Sequence, residues 1–580
     1  MGIEILAPVG GYEQLISAIK AGANAVYLGT QDFNARRNAH NFDNLNETVE
    51  FCHNHGVKVY VTLNTVIKNN EIGAFANTVK DVANAGADAV IVQDLGAVSL
   101  IKKICPDLPL HASTQMTVHN LSGVKMLEEM GFSRVVLARE MSKNEIKYIC
   151  DNSKLEIEVF THGALCVSVS GQCYLSSMLG ARSGNRGLCA QPCRLDFNNG
   201  ERGYALSLKD MSLYEDINEL ISLGVKSLKI EGRMKRPEYV YKAVSECKKA
   251  LNNMQPDMQT LKSVFSRSGF TNAYFKAQIS PCMFGRRTDE DVHSMQNVLK
   301  SIEEEISKTD YRKAEKLKTK QYDITEFETL SVTKNNINPK IRIRVERLSQ
   351  LTDKMQEVAD KIIVPYKELL KQNLLNEKYV AELPLLFYGT DKDLQTELQK
   401  IKDKGIKEVY VGNIGAIFEA QKLGFTVHTD YSMNVTNKYS VEVLKKLNVS
   451  SVTMSFETNS KDVKGTLPVG IIAYGYLPLM TYRSCPARTK AGCKGCSKTP
   501  VIKDRKNTQF TVLCRGAYSQ LLNSVPLYIG DKLNKIGCDF VTLYFTKEDK
   551  KQSEKVFLAF ISGQEYQGKM TRGLYFKELI

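Results

Sequence analysis

Through the first 250 residues, eight short apolar segments alternate with stretches of helical period, and no other feature narrows the fold as much. The strand candidates are Glu4–Pro8, Ala25–Leu28, Lys58–Leu63, Ala89–Gln93, Leu110–Ser113, Arg134–Ala138, Glu156–Phe160 and Ser227–Ile230. Helix-period segments follow most of them, Gly11–Ala21, Leu45–His55, Glu71–Ala85 and Gly123–Met130 among them. Ala-Gly-Ala at 21–23 and 85–87 and Met-Gly-Phe at 130–132 mark helix C-termini, where glycine accepts the left-handed conformation. Eight βα units in about 250 residues fit a closed parallel barrel better than an open sheet. The expected fold class is therefore α/β, beginning with a TIM-like (β/α)8 barrel.

A weaker version of the same design follows. The charge run Glu303–Lys320 reads as a solvated helix or linker. After it, Val409–Gly412, Thr426–Thr429, Val452–Phe456 and Val469–Ala473 have strand character in a βα setting. The segment His111-Ala-Ser-Thr-Gln-Met-Thr-Val-His-Asn120 matches His428-Thr-Asp-Tyr-Ser-Met-Asn-Val-Thr-Asn437. His162-Gly-Ala-Leu165 matches Tyr474-Gly-Tyr-Leu477, and Cys173 then falls on Cys485. Two segments shared in the same order imply a duplicated, diverged barrel. The expected organisation is a barrel over 1–280, a charged helical linker over 281–335 and a second barrel-like α/β domain over 336–580.

Composition sets limits. With 43% hydrophobic and 24% charged residues, the 580-residue chain is globular rather than disordered. Its longest apolar runs, such as Ala89–Val92 and Ile471–Ala473, are strand-sized, so no membrane partner is expected. Met1-Gly2-Ile3-Glu4 opens directly into a strand pattern without a basic or apolar leader, and the expected location is cytoplasmic. Charge is divided unevenly. Residues 1–250 hold 27 basic and 27 acidic side chains; the remaining 51 basic and 37 acidic ones carry the whole net charge of +14. A neutral first half joined to a basic second half points to chemistry in one and a grip on a polyanion in the other, against the plainer reading of a basic, soluble protein.

Fourteen cysteines in a chain of this kind argue against a disulfide scaffold. Cys52, Cys105, Cys150, Cys247, Cys282 and Cys538 are isolated and read as packed small hydrophobes. The other eight form two groups of four. Cys166-x6-Cys173-x15-Cys189-x3-Cys193 begins at the end of the seventh strand, on the barrel face where chemistry sits. Four thiols without histidine suit a 4Fe–4S cluster or a zinc site, although neither pair has the CxxC spacing of a zinc knuckle. Arg182, Arg186 and Arg194 in the same loop are candidates for meeting an anion.

The second group, Cys485-x7-Cys493-x2-Cys496-x17-Cys514, contains a true CxxC and suits zinc or a second iron–sulfur cluster. Around it lie many cations, Lys494, Lys498 and Arg505 among them, interleaved with Tyr474, Tyr476, Tyr482, Phe510 and Tyr518. That mixture suits single-stranded RNA, through phosphate neutralisation and base stacking, in preference to a merely solvated face.

The remaining catalytic signals are few. No HExxH, GxSxG or GxxxxGK[ST] motif is present, so zincin, α/β-hydrolase and P-loop readings have no support. His53-x-His55 reads as helix surface. His162, just before the first cysteine group, is a candidate proton donor or substrate contact, with a satisfied core histidine as the alternative. Glu231-Gly-Arg-Met-Lys-Arg236 follows the eighth strand. Lys229, Arg233, Lys235 and Arg236 are candidate phosphate ligands oriented by Glu231, or else a salt-bridged turn.

Glu158-Val-Phe-Thr-His-Gly-Ala-Leu-Cys166-x6-Cys173-Tyr-Leu-Ser176, with Leu228-Lys-Ile-Glu-Gly-Arg-Met-Lys235, closely resembles the collagenase-like peptidase family ("U-thirty-two", of unassigned catalytic type). Ile5-Leu-Ala-Pro8 and Ser268-Gly-Phe-Thr271 extend the resemblance. The long layout, with a second region ending near Leu513-Cys-Arg-Gly516, is similar to the two-part subgroup that includes bacterial 23S ribosomal RNA 5-hydroxycytidine synthase. The resemblance implies a 4Fe–4S cluster on Cys166, Cys173, Cys189 and Cys193. It also implies C5-hydroxylation of an RNA pyrimidine, with prephenate as co-substrate and an unidentified electron donor. Relatives that make 5-hydroxyuridine in transfer RNA offer an alternative substrate. Peptidase chemistry is a further alternative, although no nucleophile–base pair is visible. A zinc-stabilised RNA-binding or assembly protein is the reading outside enzymology. Oligomeric state is not legible.

Overall fold

The computed structural model describes residues 2–332, 338–373, 376–494, 496–577 and 579. Seven parallel strands, β1 (Glu4–Pro8), β2 (Ala25–Gly29), β3 (Lys58–Leu63), β4 (Ala89–Val92), β5 (Leu110–Ala112), β6 (Arg134–Val136) and β7 (Glu156–Gly163), lie side by side in sequence order. Two short strands intervene, β8 (Phe197–Asn198) and β9 (Asp210–Ser212), before β10 (Ser227–Ile230) pairs with both β7 and β1 and closes an eight-stranded barrel. β9 runs antiparallel to the end of β7, and β11 (Phe270–Thr271) adds to β9. Valines and leucines such as Val26, Val59, Val61, Val90 and Leu228 are buried in the strands, as a sheet covered by helices requires.

The second half repeats this plan and is also closed. Its parallel strands are β12 (Lys340–Val345), β13 (Lys361–Pro365), β14 (Tyr379–Glu382), β15 (Glu408–Val411), β16 (Thr426–Thr429), β17 (Val449–Thr453) and β18 (Val469–Gly475). Four short strands then leave the barrel: β19 (Pro478–Tyr482), β20 (Val501–Asp504), β21 (Gln509–Cys514) and β22 (Ser519–Leu522). β23 (Leu527–Tyr528) returns antiparallel to β18, and β24 (Phe540–Phe545) completes the ring between β18 and β12. The repeat read from sequence is thus real in three dimensions. His162-Gly163 and Tyr474-Gly475 each end the seventh strand of their barrel, and an antiparallel strand returns to that end in both.

The barrels pack through matching helices. The helix Leu95–Ile104 of the first meets Lys438–Lys446 of the second, and Leu121–Glu129 meets Ile414–Lys422. Each begins with an Asp or Asn cap, and the caps join the contact. Asp94, 2% exposed, accepts from Asn437 Nδ2 at 2.9 Å and Ser440 Oγ at 2.8 Å. Ser122 Oγ donates to Asp391 at 2.7 Å and to Glu419 at 3.0 Å.

A five-stranded antiparallel sheet, in the order β19-β22-β21-β20-β8, joins the halves: β8 belongs to the first and pairs with β20. The charge run is helical only as far as Lys308, within Asp289–Lys308. Beyond it the chain has no regular structure up to residue 332 and runs along the first barrel, with Leu317 N donating to His53 O and Thr325 N to Ile104 O. His53 is correspondingly buried rather than on the surface, between Asp88 (2.9 Å) and Thr319 (3.0 Å). Cys282 is exposed, against the expectation of packing, and Cys150 is half-buried. Among the described residues no helix is long and apolar enough to cross a membrane.

Candidate active site

Below the mouth of the first barrel lies a layer of charge. Arg134 pairs with Glu156 (2.6 Å) and Glu158 (3.0 Å), and Lys229 with Glu158 (2.7 Å). Lys229 is 4% exposed and its ammonium lies 4.6 Å from the Tyr27 ring, so the barrel interior holds this cation firmly. Above that layer is a cavity of about 160 Å³. Strand ends supply Tyr27, Thr62 and Phe160; the loop after β7 supplies all four of Cys166, Cys173, Cys189 and Cys193. The sequence-predicted quartet is therefore brought to one cavity wall.

Gly163 makes the turn from strand to thiol loop. Its φ is +110°, and a Cβ there would stand 2.4 Å from Glu231 O, so no other residue fits without displacing the backbone. The partner glycine, Gly475, has the same relation to Tyr544 O (2.6 Å) at the end of β18. None of the cysteines is in a disulfide. Burial pushes the Cys173 thiol up, and the neighbouring Cys189, Cys193 and Cys166 push it further; Cys193 is raised to about 12, chiefly by burial. Cys173, Cys189 and Cys193 lie where ionisation is disfavoured, which fits a site whose thiolates are to be neutralised by metal. Among the described residues no three His, Cys, Asp or Glu side chains form a ready-made site for one ion.

The second half covers this cavity. Cys173 bridges to Met480 of β19, Val169 N donates to Thr481 O at 2.8 Å, and Tyr174 N to Leu479 O at 2.7 Å. Met480 lines the cavity, and Glu457 accepts from Asn185 Nδ2 (3.2 Å) on its rim.

Two arginines that sequence reasoning missed dominate the cavity's charge. Arg36 pairs with Glu231 at 2.7 Å. Arg139 donates to Ala164 O (3.0 Å) and Ser170 Oγ (2.7 Å), while its Nε has no partner. Burial alone would raise the Glu231 carboxyl, but the guanidinium groups of Arg36 and Arg139 outweigh it and hold the group below the ordinary range. Arg36 sits in an irregular loop far from both motifs, so no local signal marked it.

The other predicted residues separate. Arg233 lines the cavity but is buried, donating to Asn34 and Thr62 at 3.1 Å each. Arg182, Arg186 and Arg194 hold backbone carbonyls of Leu188, Val66 and Leu208, and Arg186 also pairs with Glu71; none lines the cavity. Lys235 lies on the Phe265 ring, its amine lowered to about 8 by burial, and Arg236 is exposed. His162 is away from the cavity, 1% exposed, stacked on Tyr214 (4.8 Å) with Nδ1 3.2 Å from Ser212 Oγ. The core reading of this histidine is the one the geometry favours.

Cys485 follows β19 and Cys514 ends β21, while Cys493 and Cys496 lie in the loop between β19 and β20. Burial, together with Cys514 and Cys496 close by, raises the Cys485 thiol. Lys494, Lys498 and Arg505 are exposed and make no ion pair among the described residues. The expected aromatic interleaving is absent: Tyr474, Tyr482, Phe510 and Tyr518 are buried, and only Tyr476 is partly open. Those rings serve the core beneath the roof sheet.

A closed parallel barrel with four thiols and an Arg–Glu pair at its covered mouth defines a barrel protein with a thiol-lined polar site. The chain belongs to Peptidase family U32, whose sequence profile matches residues 10–282. It is 38% identical to the tRNA hydroxylation protein P1 of Bacillus subtilis, over 43% of this chain and 63% of that one. It is also 38% identical to the 23S rRNA 5-hydroxycytidine C2501 synthase of Escherichia coli, over 47% of this chain and 42% of the other. A collagenase of Porphyromonas gingivalis is 36% identical, over 47% and 74% respectively. The chain thus spans less than two thirds of the first two relatives.

Proposed function

We propose that the chain is an RNA-modifying redox enzyme that converts a pyrimidine C5–H to C5–OH, with cytidine of 23S ribosomal RNA as the favoured substrate and wobble uridine of transfer RNA as the alternative. The observation that carries this reading is the convergence of four cysteines on one base-sized cavity, in a family whose relatives bear the names of RNA hydroxylation proteins. Cavities of about 150 Å³ admit a benzene ring, so about 160 Å³ suits one ring at a time, the pyrimidine with its sugar and phosphate left outside or the co-substrate in its turn.

Replacing C5–H by C5–OH is a two-electron oxidation, beyond the reach of acid–base side chains alone. With water as the oxygen source, two protons and two electrons are released, and an external two-electron acceptor has to take those electrons. A 4Fe–4S cluster on Cys166, Cys173, Cys189 and Cys193 would supply single-electron transfer at the cavity wall. The chain's own residues do the rest. Arg139, with its free Nε, and Arg36 orient an anionic co-substrate, for which the dicarboxylate prephenate has matching charge. Glu231, held as a carboxylate by Arg36 and Arg139, fixes Arg36 in place. Asn64 and Gln115 present neutral polar groups to a base edge, and the roof strand bearing Met480 limits water. Cys485, Cys493, Cys496 and Cys514 are the candidate ligands of a second centre, zinc or iron–sulfur, while Lys494, Lys498 and Arg505 offer cations to phosphates.

Anaerobic purification with iron, sulfide and zinc analysis is the direct test, and about four iron and four sulfide per chain are expected at the first group. Cys173→Ser should lose cluster absorbance and RNA hydroxylation together while keeping the wild-type circular dichroism. Retained hydroxylation without absorbance would overturn the redox reading. Zinc in place of iron would leave RNA binding without redox chemistry.

A further inference from the structure

Among the described residues, ion pairs fill the C-terminal end of the second barrel. Arg515, next to Cys514, reaches over its C-terminal end, pairing with Glu346 (2.5 Å) and Glu382 (3.2 Å). Arg344 fills the space beneath, pairing with Glu382 (2.8 Å) and Asp430 (3.1 Å). A ligand cannot enter where the first barrel holds its cavity. The rim instead opens sideways, between the ends of β18 and β24 and the helix Lys550–Ile561, into a groove of about 1110 Å³. That exceeds the roughly 300–1,000 Å³ of pockets built for one small molecule.

We propose that this groove binds unpaired RNA, holding substrate outside the first-barrel cavity; the inference rests on the reading of RNA as the substrate. Two rings are partly open in it, Tyr476 and Tyr566. Tyr566 is braced from behind by Tyr528, with centroids 5.3 Å apart. Lys547 Nζ stands 3.9 Å over the Tyr476 ring centroid, so the cation takes one face of that ring and a base would stack on the other, with Lys547 near enough to meet its phosphate.

The groove's charged lining is Lys547 and Lys555 against Glu548 and Glu565, and its lysines are the freer pair: both are exposed and form no ion pair among the described residues. Of the groove's acids, Glu548 is 4% exposed and already accepts from Tyr474 Oη and Thr546 N, both at 2.7 Å; Glu565 is the exposed one. The internal repeat places Tyr476 opposite Ala164. Where the first barrel has a small residue opening toward its thiols, the second presents a ring.

The test is fluorescence anisotropy of the full chain with a labelled oligocytidine of about a dozen nucleotides, over a range of salt. Tyr476→Ala should weaken binding roughly tenfold, and Lys555→Glu should weaken it and reduce the salt slope by about one. Lys555 is exposed, so its variant folds even if the tyrosine variant does not, and Lys555→Arg should restore affinity. If wild-type protein binds the probe and both groove variants bind it equally well, the groove inference is overturned while the RNA reading stands. If wild-type protein binds no RNA at any salt, both fall.

Discussion

His162 and Glu231 close neighbouring strands, and Glu231 N donates to His162 O at 2.9 Å, yet their side chains serve opposite faces. Successive strand residues alternate sides, so the strand end that sends Glu231 to the cavity sends His162 into the core. There burial lowers the imidazole to about 3. The unfolded chain takes up that proton below about pH 6.5 and the folded chain does not. This contribution to stability is therefore complete above pH 6.5 and is lost progressively as pH falls toward 3. Between pH 6.5 and 5 it amounts to about 2 kcal/mol. His162→Phe, which keeps a ring against Tyr214, should flatten this part of the profile in urea titrations at several pH values. An unchanged slope would show that the imidazole is not the group responsible.

At the scale of elements, the end of the seventh strand leaves no room for a side chain at Gly163. Gly163→Ala would force a Cβ onto Glu231 O at φ +110°, so it should cost at least about 1–3 kcal/mol and shift the thiol loop. Thermal denaturation and cluster absorbance would report the two effects; a wild-type melt would contradict the close packing. This loop and all eight first-barrel strands were legible because apolar runs and glycines declare themselves locally. The second barrel was less so. β12 reads Lys-Ile-Arg-Ile-Arg-Val, the pattern of a strand with one wet face, yet both arginines are buried, Arg344 against Glu382 and Asp430 and Arg342 against Ser451. Pairings such as β8 with β20 join residues some 300 positions apart and leave no local periodicity to read. Arg36 was missed for the same reason, since only the fold brings it to Glu231.

At the scale of the molecule, the two barrels share caps, a sheet and a covered cavity, and are not beads on a linker. Calorimetry should show one unfolding transition rather than two. Asp94→Ala removes a cap and leaves Asn437 Nδ2 and Ser440 Oγ short of a buried acceptor, so it should lower the whole transition by about 1–3 kcal/mol. Separate transitions, with only one moved by the substitution, would show that the halves unfold independently.

The roof strand also sets a clock. Cys193, the last thiol of the first group, leaves the ribosome almost 290 residues before Met480, which covers part of the cavity. At about 5–20 residues per second, that gap lasts roughly 15–60 seconds. During every round of translation the quartet stands uncovered to whatever delivers metal, and once the chain is finished Cys173 lies under the roof strand while Cys166 and Cys189 are still exposed.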